Sequence, residues 1–137
     1  MKVFISHAQT DQTLVRKVIG ELKKSGLDVW SESEILPGDN WAAEVDKALQ
    51  ESEAMVVLLT PASLRSNQVR REIEYALGDK KFSHRLIPVI VGSAKDFGQQ
   101  EIPWILRSLK PITVPKHGQQ AEPIQQIVRA LTAAAAA

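Results

Sequence analysis

The sequence predicts a three-layer α/β fold, a five-stranded parallel sheet with helices packed on both faces. Two observations carry this. Strand-like and helix-like patterns alternate from one end of the chain to the other, as consecutive β-α-β units do. The run Ala54-Met55-Val56-Val57-Leu58-Leu59-Thr60 is apolar without interruption, which suits a central strand covered on both sides. For five strands alternating with helices, the flavodoxin-like order 2-1-3-4-5 is the expected solution. It puts the topological switch point, where ligands bind in open α/β sheets, between strands 1 and 3.

Each element has its own signature. Val3 to Ser6 is a short β-branched and aromatic run that gives way to the polar stretch His7-Ala8-Gln9-Thr10, so it reads as a strand feeding a loop. Asp11 to Lys24 places Leu14, Val18 and Leu22 on one stripe with Val15 and Ile19 beside it, an amphipathic helix with Asp11 as its N-cap. Gly26 suits the left-handed position that ends it. Leu27 to Ser31 is a second, short strand with Trp30 in the core. Pro37-Gly38 marks a turn, and Asp39 or Asn40 caps a helix running to about Ser52. After the third strand Pro61 interrupts, and Ser63 to Leu77 reads as one helix stopped by Gly78. Arg85 to Val91 is the fourth strand, with Pro88 an anomaly inside it. A short helix is expected within Gln100 to Leu109, with Trp104 packed inward. Pro111 to Val114 is an edge strand, and Glu122 to Leu131 is the last helix, its stripe Ile124, Ile127, Val128 and Leu131. Residues 1–131 are therefore read as one domain and 132–137 as an alanine-rich tail, with a longer natural chain expected beyond it.

The bulk numbers narrow the function classes. With 44% apolar and 24% charged residues the chain can fill a core and cover a surface. A formal net charge of +1 gives no electrostatic case for nucleic acid or a membrane surface. The absence of cysteine excludes disulfides and thiolate metal sites and is compatible with a cytoplasmic location. No signal peptide is visible, and no apolar run approaches membrane-spanning length.

The loops at the switch point exclude several chemistries. A phospho-receiver needs acidic residues at the ends of strands 1 and 3 to hold magnesium, but these strands end in Ser6-His7 and Thr60-Pro61. A P-loop and a Gly-x-Gly-x-x-Gly fingerprint are both missing. A flavin-phosphate loop matches residues 6–11 poorly. What does fit is a series: Phe4-Ile5-Ser6-His7-Ala8 with Asp11 four residues past His7; Gly26-Leu27-Asp28-Val29-Trp30; Leu36-Pro37-Gly38-Asp39-Asn40-Trp41; Ala48-Leu49-Gln50-Glu51-Ser52; Leu59-Thr60-Pro61-Ala62-Ser63; and Arg70-Arg71-Glu72-Ile73. In order and spacing this series, spanning about residues 2 to 131, resembles a TIR domain of bacterial type.

The resemblance implies one of two functions. Some TIR domains cut NAD+ between nicotinamide and ribose, by hydrolysis or cyclisation, and others only self-associate as signalling scaffolds. The enzymatic members carry a glutamate in the third helix, which matches Glu72 here. A carboxylate beside the ribose stabilises the oxocarbenium-like state through which such a bond breaks. No metal or external cofactor is then required, since NAD+ is the substrate. Helical periodicity alone sets Glu72 at one edge of the buried face (Val69, Ile73, Ala76, Leu77) and Glu74 toward the other, so both stay open on that ground.

Further site residues follow from the same resemblance. Trp41 matches an aromatic near the nicotinamide end, although a core anchor explains it equally. Ser6, His7 and Ala8 match the loop that lines the adenosine and phosphate path, where this chain offers no arginine. Leu36 and Gly38 belong to the expected mobile gate at Ser33–Asn40. Gln68 stands where many enzymatic members have a tryptophan, four residues before the glutamate. The implied biology is a bacterial anti-phage effector that self-associates under the control of an attached or partner sensor.

Overall fold

The computed structural model describes residues 1–136, with Ala137 outside them. The strands β1 (Lys2–Ser6), β2 (Asp28–Trp30), β3 (Ala54–Leu59), β4 (Leu86–Val91) and β5 (Ile112–Val114) form one parallel sheet in the order β2-β1-β3-β4-β5. The helices are α1 (Gln12–Lys24), α2 (Trp41–Glu51), α3 (Pro61–Leu64), α4 (Asn67–Gly78), α5 (Ala94–Phe97), α6 (Trp104–Arg107) and α7 (Ala121–Ala136). No described helix is long and apolar enough to cross a membrane.

Strand alternation divides the interior in two. Val3, Ile5, Val56, Leu58 and Val89 point to one face, where they meet Val15, Val18 and Leu22 of α1 and Ile127 and Leu131 of α7. Phe4, Met55, Val57 and Leu59 point to the other, against Val45 and Leu49 of α2 and Val69 and Ala76 of α4. All six residues of β3 are buried, as its uninterrupted apolar run requires. Trp30 is partly buried and stacks on Phe4, ring centroids 5.1 Å apart.

Pro88 has a geometric explanation. In a parallel strand, successive N–H groups point to alternate neighbours. The Met55 N–H reaches the Arg85 carbonyl, so odd-numbered β4 residues face β3; the Gly92 N–H reaches the Val114 carbonyl, so even-numbered ones face β5. β5 begins only at Ile112, which pairs with Val89. The N–H that Pro88 lacks therefore points to a place where no partner strand has started.

Three expectations from the sequence need correction. The segment after β3 is two helices, α3 and α4, broken at Arg65-Ser66. Asp11 precedes α1 but makes no side-chain cap; its carboxylate instead accepts the Thr60 hydroxyl at 2.8 Å, tying the β1–α1 loop to the end of β3. Trp104 is 71% exposed; Pro103 turns the chain so that Leu106 is the buried residue of α6. The alanines up to Ala136 belong to α7, a helical continuation that the uniform run allows.

Lys81 ties the second core together. Its Nζ donates to the carbonyls of Leu49 (2.8 Å) and Gln50 (2.7 Å) in the last turn of α2 and lies over the rings of Tyr75 and Phe82. A cation there satisfies carbonyls left over at a helix end and opposes the negative pole of its dipole. Lys81→Met keeps the stem and removes the charge; it is expected to lower unfolding free energy by about 2 kcal/mol in a urea titration.

Candidate functional site

The helix break builds the site. Ser66 accepts the Val69 N–H at 3.2 Å, which restarts the chain as α4. Gln68 and Glu72 then fall one turn apart on one face, stacked at i and i+4. The buried stripe of α4 is Val69, Glu72 and Ala76, so Glu72 is central to it and not at its edge. Glu74 is exposed. Leu77, expected inside, is 41% exposed.

Glu72 is 2% exposed, and each of its carboxylate oxygens has a donor. The Ser6 hydroxyl, at the carboxyl end of β1, donates to Oε1 at 2.6 Å. The Gln68 amide donates to Oε2 at 2.7 Å. Burial pushes the carboxyl up from its ordinary 4.5 to about 7; the Ser6 and Gln68 hydrogen bonds oppose this, and the nearby Glu32 adds to it. At neutral pH Glu72 is therefore poised between its two protonation states, as acid-base groups at reaction centres are.

In front of this pair lies a cleft of about 260 Å³. Among the residues expected at the site, His7, Ala8, Trp41 and Gln68 line it together. Ser6 and Glu72 sit one layer behind, joined to the wall by Gln68. Leu36 and Gly38 do not line it: Leu36 is 67% exposed at a loop tip, and Gly38 turns with φ 92°. That loop closes on itself, since the Asp39 carboxylate accepts the Leu36 N–H at 3.0 Å and Asn40 caps α2 through the Ala43 N–H.

Glu32, Thr10, Ala62 and Ser66 also line the cleft and were not foreseen. The signal for Glu32 was available, because it follows β2 at the same sheet edge. Burial raises its carboxyl above the ordinary value, and His7 pulls it back down. The His7 ring is buried with Nδ1 2.9 Å from the Ala8 carbonyl. A carbonyl only accepts, so Nδ1 carries a proton and Nε2 is left as the second site. The cleft thus joins the Glu32 carboxylate, an imidazole and a half-open indole, with Glu72 behind its Gln68 wall, a surface suited to a flat cationic ring.

Sheet order, the broken third crossover and this cleft define a TIR domain: residues 3–128 match that family, and the chain belongs to it. Among characterised relatives it is similar to BtTIR, a 2′ cyclic ADP-D-ribose synthase of Bacteroides thetaiotaomicron, at 28% identity over 86 residues. That match covers 61% of this chain and 30% of the relative, so the chain spans under a third of that protein's length. The fold is similar to the TIR domain of the Toll-related receptor TRR-2 of Hydra magnipapillata (TM-score 0.69, 18% identity, 95% of this chain and 97% of that one). It is also similar to the TIR domains of the activated Roq1 resistosome recognising the pathogen effector XopQ (TM-score 0.67, 19% identity, 93% and 97%). A TIR-STING receptor from C. gigas in complex with 2′,3′-cGAMP is similar as well (TM-score 0.69, 21% identity, 94% and 38%).

The raised carboxyl has a consequence for stability. The folded state holds the Glu72 proton more tightly than the unfolded chain, so stability is greatest below about pH 4.5 for this group and is lost as pH rises through about 7. A rise from 4.5 to about 7 corresponds to roughly 3 kcal/mol. Glu72→Gln removes that term. Its melting temperature relative to wild type is expected to increase between pH 5 and pH 8, as followed by calorimetry.

Proposed function

We propose that this domain cleaves NAD+ at the bond between nicotinamide and ribose, with Glu72 as the catalytic carboxylate. The observation that carries the reading is Glu72 itself, a buried carboxyl titrating near neutrality behind a cleft at the switch point. The nicotinamide ring lies against Trp41. The ribose hydroxyls replace Ser6 and Gln68 as donors to the carboxylate, so Gln68 swings aside when substrate enters. The bond from C1′ to the ring nitrogen breaks, its electron pair neutralises the pyridinium, and nicotinamide leaves uncharged. Positive charge developing on the ribose is stabilised by the Glu72 carboxylate. Water then adds to C1′ and loses a proton, or a nucleophile from the same molecule closes a ring.

Self-association belongs to this reading. The cleft is half open and, at about 260 Å³, smaller than the roughly 300–1,000 Å³ of pockets that enclose a ligand by themselves. A second copy brought up by a sensor domain would complete it. Leu36 and Trp104, both large, apolar and exposed, are available for such contacts. The reading puts the activity in anti-phage defence, on the strength of the resemblance to bacterial NAD+-cleaving members. One observation favours the alternative, a scaffold without catalysis: Glu72 is closed off by Gln68 and Ser6 at rest.

Chromatography of NAD+ products at high protein concentration separates the two. Wild type is expected to release nicotinamide, and Glu72→Gln to lose about 10²-fold or more of that rate. If assembled wild type leaves NAD+ intact, the scaffold reading replaces the enzymatic one. The rate of the wild type should rise with pH through about 7, as the carboxylate forms, and level off above it. Gln68→Ala takes away a donor to the charged form, so its rising limb should move to higher pH.

A further inference from the structure

A second cavity, of about 590 Å³, adjoins the cleft and shares Thr10 and Ala62 with it as walls. It opens at the carboxyl edge of the sheet, between the start of α1, the β3–α3 turn and the loop before α7. Its character is opposite to that of the cleft. Lys17, Arg65 and Lys116 line it, with His117 as a further ring donor. Two carboxylates are present, Asp11 and Asp96, so the fixed cations outnumber the anions. Both carboxylates are also engaged. Asp11 accepts the Thr60 hydroxyl, and Asp96 accepts the Ser93 N–H at 2.7 Å.

Lys17 and Arg65 are held in place by neutral groups. Lys17 donates to the neutral amide of Gln120 at 2.9 Å, and Arg65 to that of Gln100 at 3.3 Å. Lys116 pairs loosely with Asp96 at 3.9 Å, a carboxylate that the Ser93 N–H also engages. The N-terminus of α1, which has no side-chain cap, and that of α7 both meet this cavity. Their positive dipole ends reinforce the same sign.

We propose that this cavity is the diphosphate subsite of the dinucleotide, with Arg65 and Lys116 as its principal anion ligands and Lys17 as support. The proposal rests on the reading of the cleft as an NAD+ site. The charge pattern of the ligand matches that of the protein: the cationic nicotinamide riboside end meets Glu32 and Glu72, and the dianionic diphosphate meets the basic cavity beyond Thr10 and Ala62. It also supplies the basic groups that the loop after β1 lacks, from segments distant in sequence.

The test is a calorimetric titration of ADP-ribose, which contains the diphosphate but no scissile nicotinamide bond, so that binding is read without turnover. Wild type should bind it, with inorganic pyrophosphate as a competitor. Arg65→Ala/Lys116→Ala should weaken binding by about tenfold or more, and Lys116→Arg should restore part of it. Both residues are exposed, and circular dichroism checks that the variants stay folded. In turnover, the double variant should raise the KM for NAD+ while leaving kcat within about twofold, the mark of uniform binding. Unchanged ADP-ribose affinity in the double variant overturns the subsite even if NAD+ cleavage persists. So does wild type that binds no ADP-ribose, or bound ADP-ribose that pyrophosphate does not displace. Charge-dependent ADP-ribose binding without any NAD+ cleavage supports the subsite and removes the catalytic reading alone.

Discussion

An enclosed carboxylate is the constraint around which the functional end of this fold is arranged. Glu72 sits in the middle of a helix face that otherwise packs apolar side chains on the sheet. Such a group is tolerated only when its oxygens have donors, and one donor comes from β1 and the other from α4 itself. The two donors lie far apart in sequence, so the carboxylate pins α4 to the end of β1 as well as holding charge near the switch point. A leucine at this position would be the better choice for stability alone.

The local chemistry upstream of Glu72 serves that placement. Thr60 both accepts the Ser63 N–H and donates to Asp11, so one hydroxyl closes the turn after β3 and anchors the loop after β1. Ser66 then begins α4 afresh. Had α3 and α4 run on as one helix, the stagger of Gln68 and Glu72 relative to β1 would differ. The break therefore sets the register between the carboxylate and its strand-borne donor.

The sheet order, the two-sided core and the positions of the strands were legible because each depends on patterns within a few residues. β3 is one apolar run, and α1 and α7 are regular stripes. The family pattern singled out Glu72, but its place at the centre of the buried face of α4 was not legible. Ile73 and Leu77 suggested a face rotated away from the true one, and Leu77 proves to be partly in solvent. Trp104 misled for a similar reason, since bulk and apolarity suggest burial while Pro103 directs the ring outward. The basic cavity was illegible altogether. Lys17, Arg65 and Lys116 come from the segments after three different strands, β1, β3 and β5, and only the parallel topology brings them to one edge. Leu36 and Gly38 stand outside the cleft wall, in a loop that satisfies its own backbone through Asp39.

Pro88 carries a meaning beyond its fit in β4. The stretch of β4 that precedes the start of β5 has no strand paired with it on that side, although Leu86, Ile87 and Pro88 are themselves buried. An unpaired strand edge invites a strand from another molecule. By deleting one donor there, Pro88 leaves an intruding strand one hydrogen bond fewer to form.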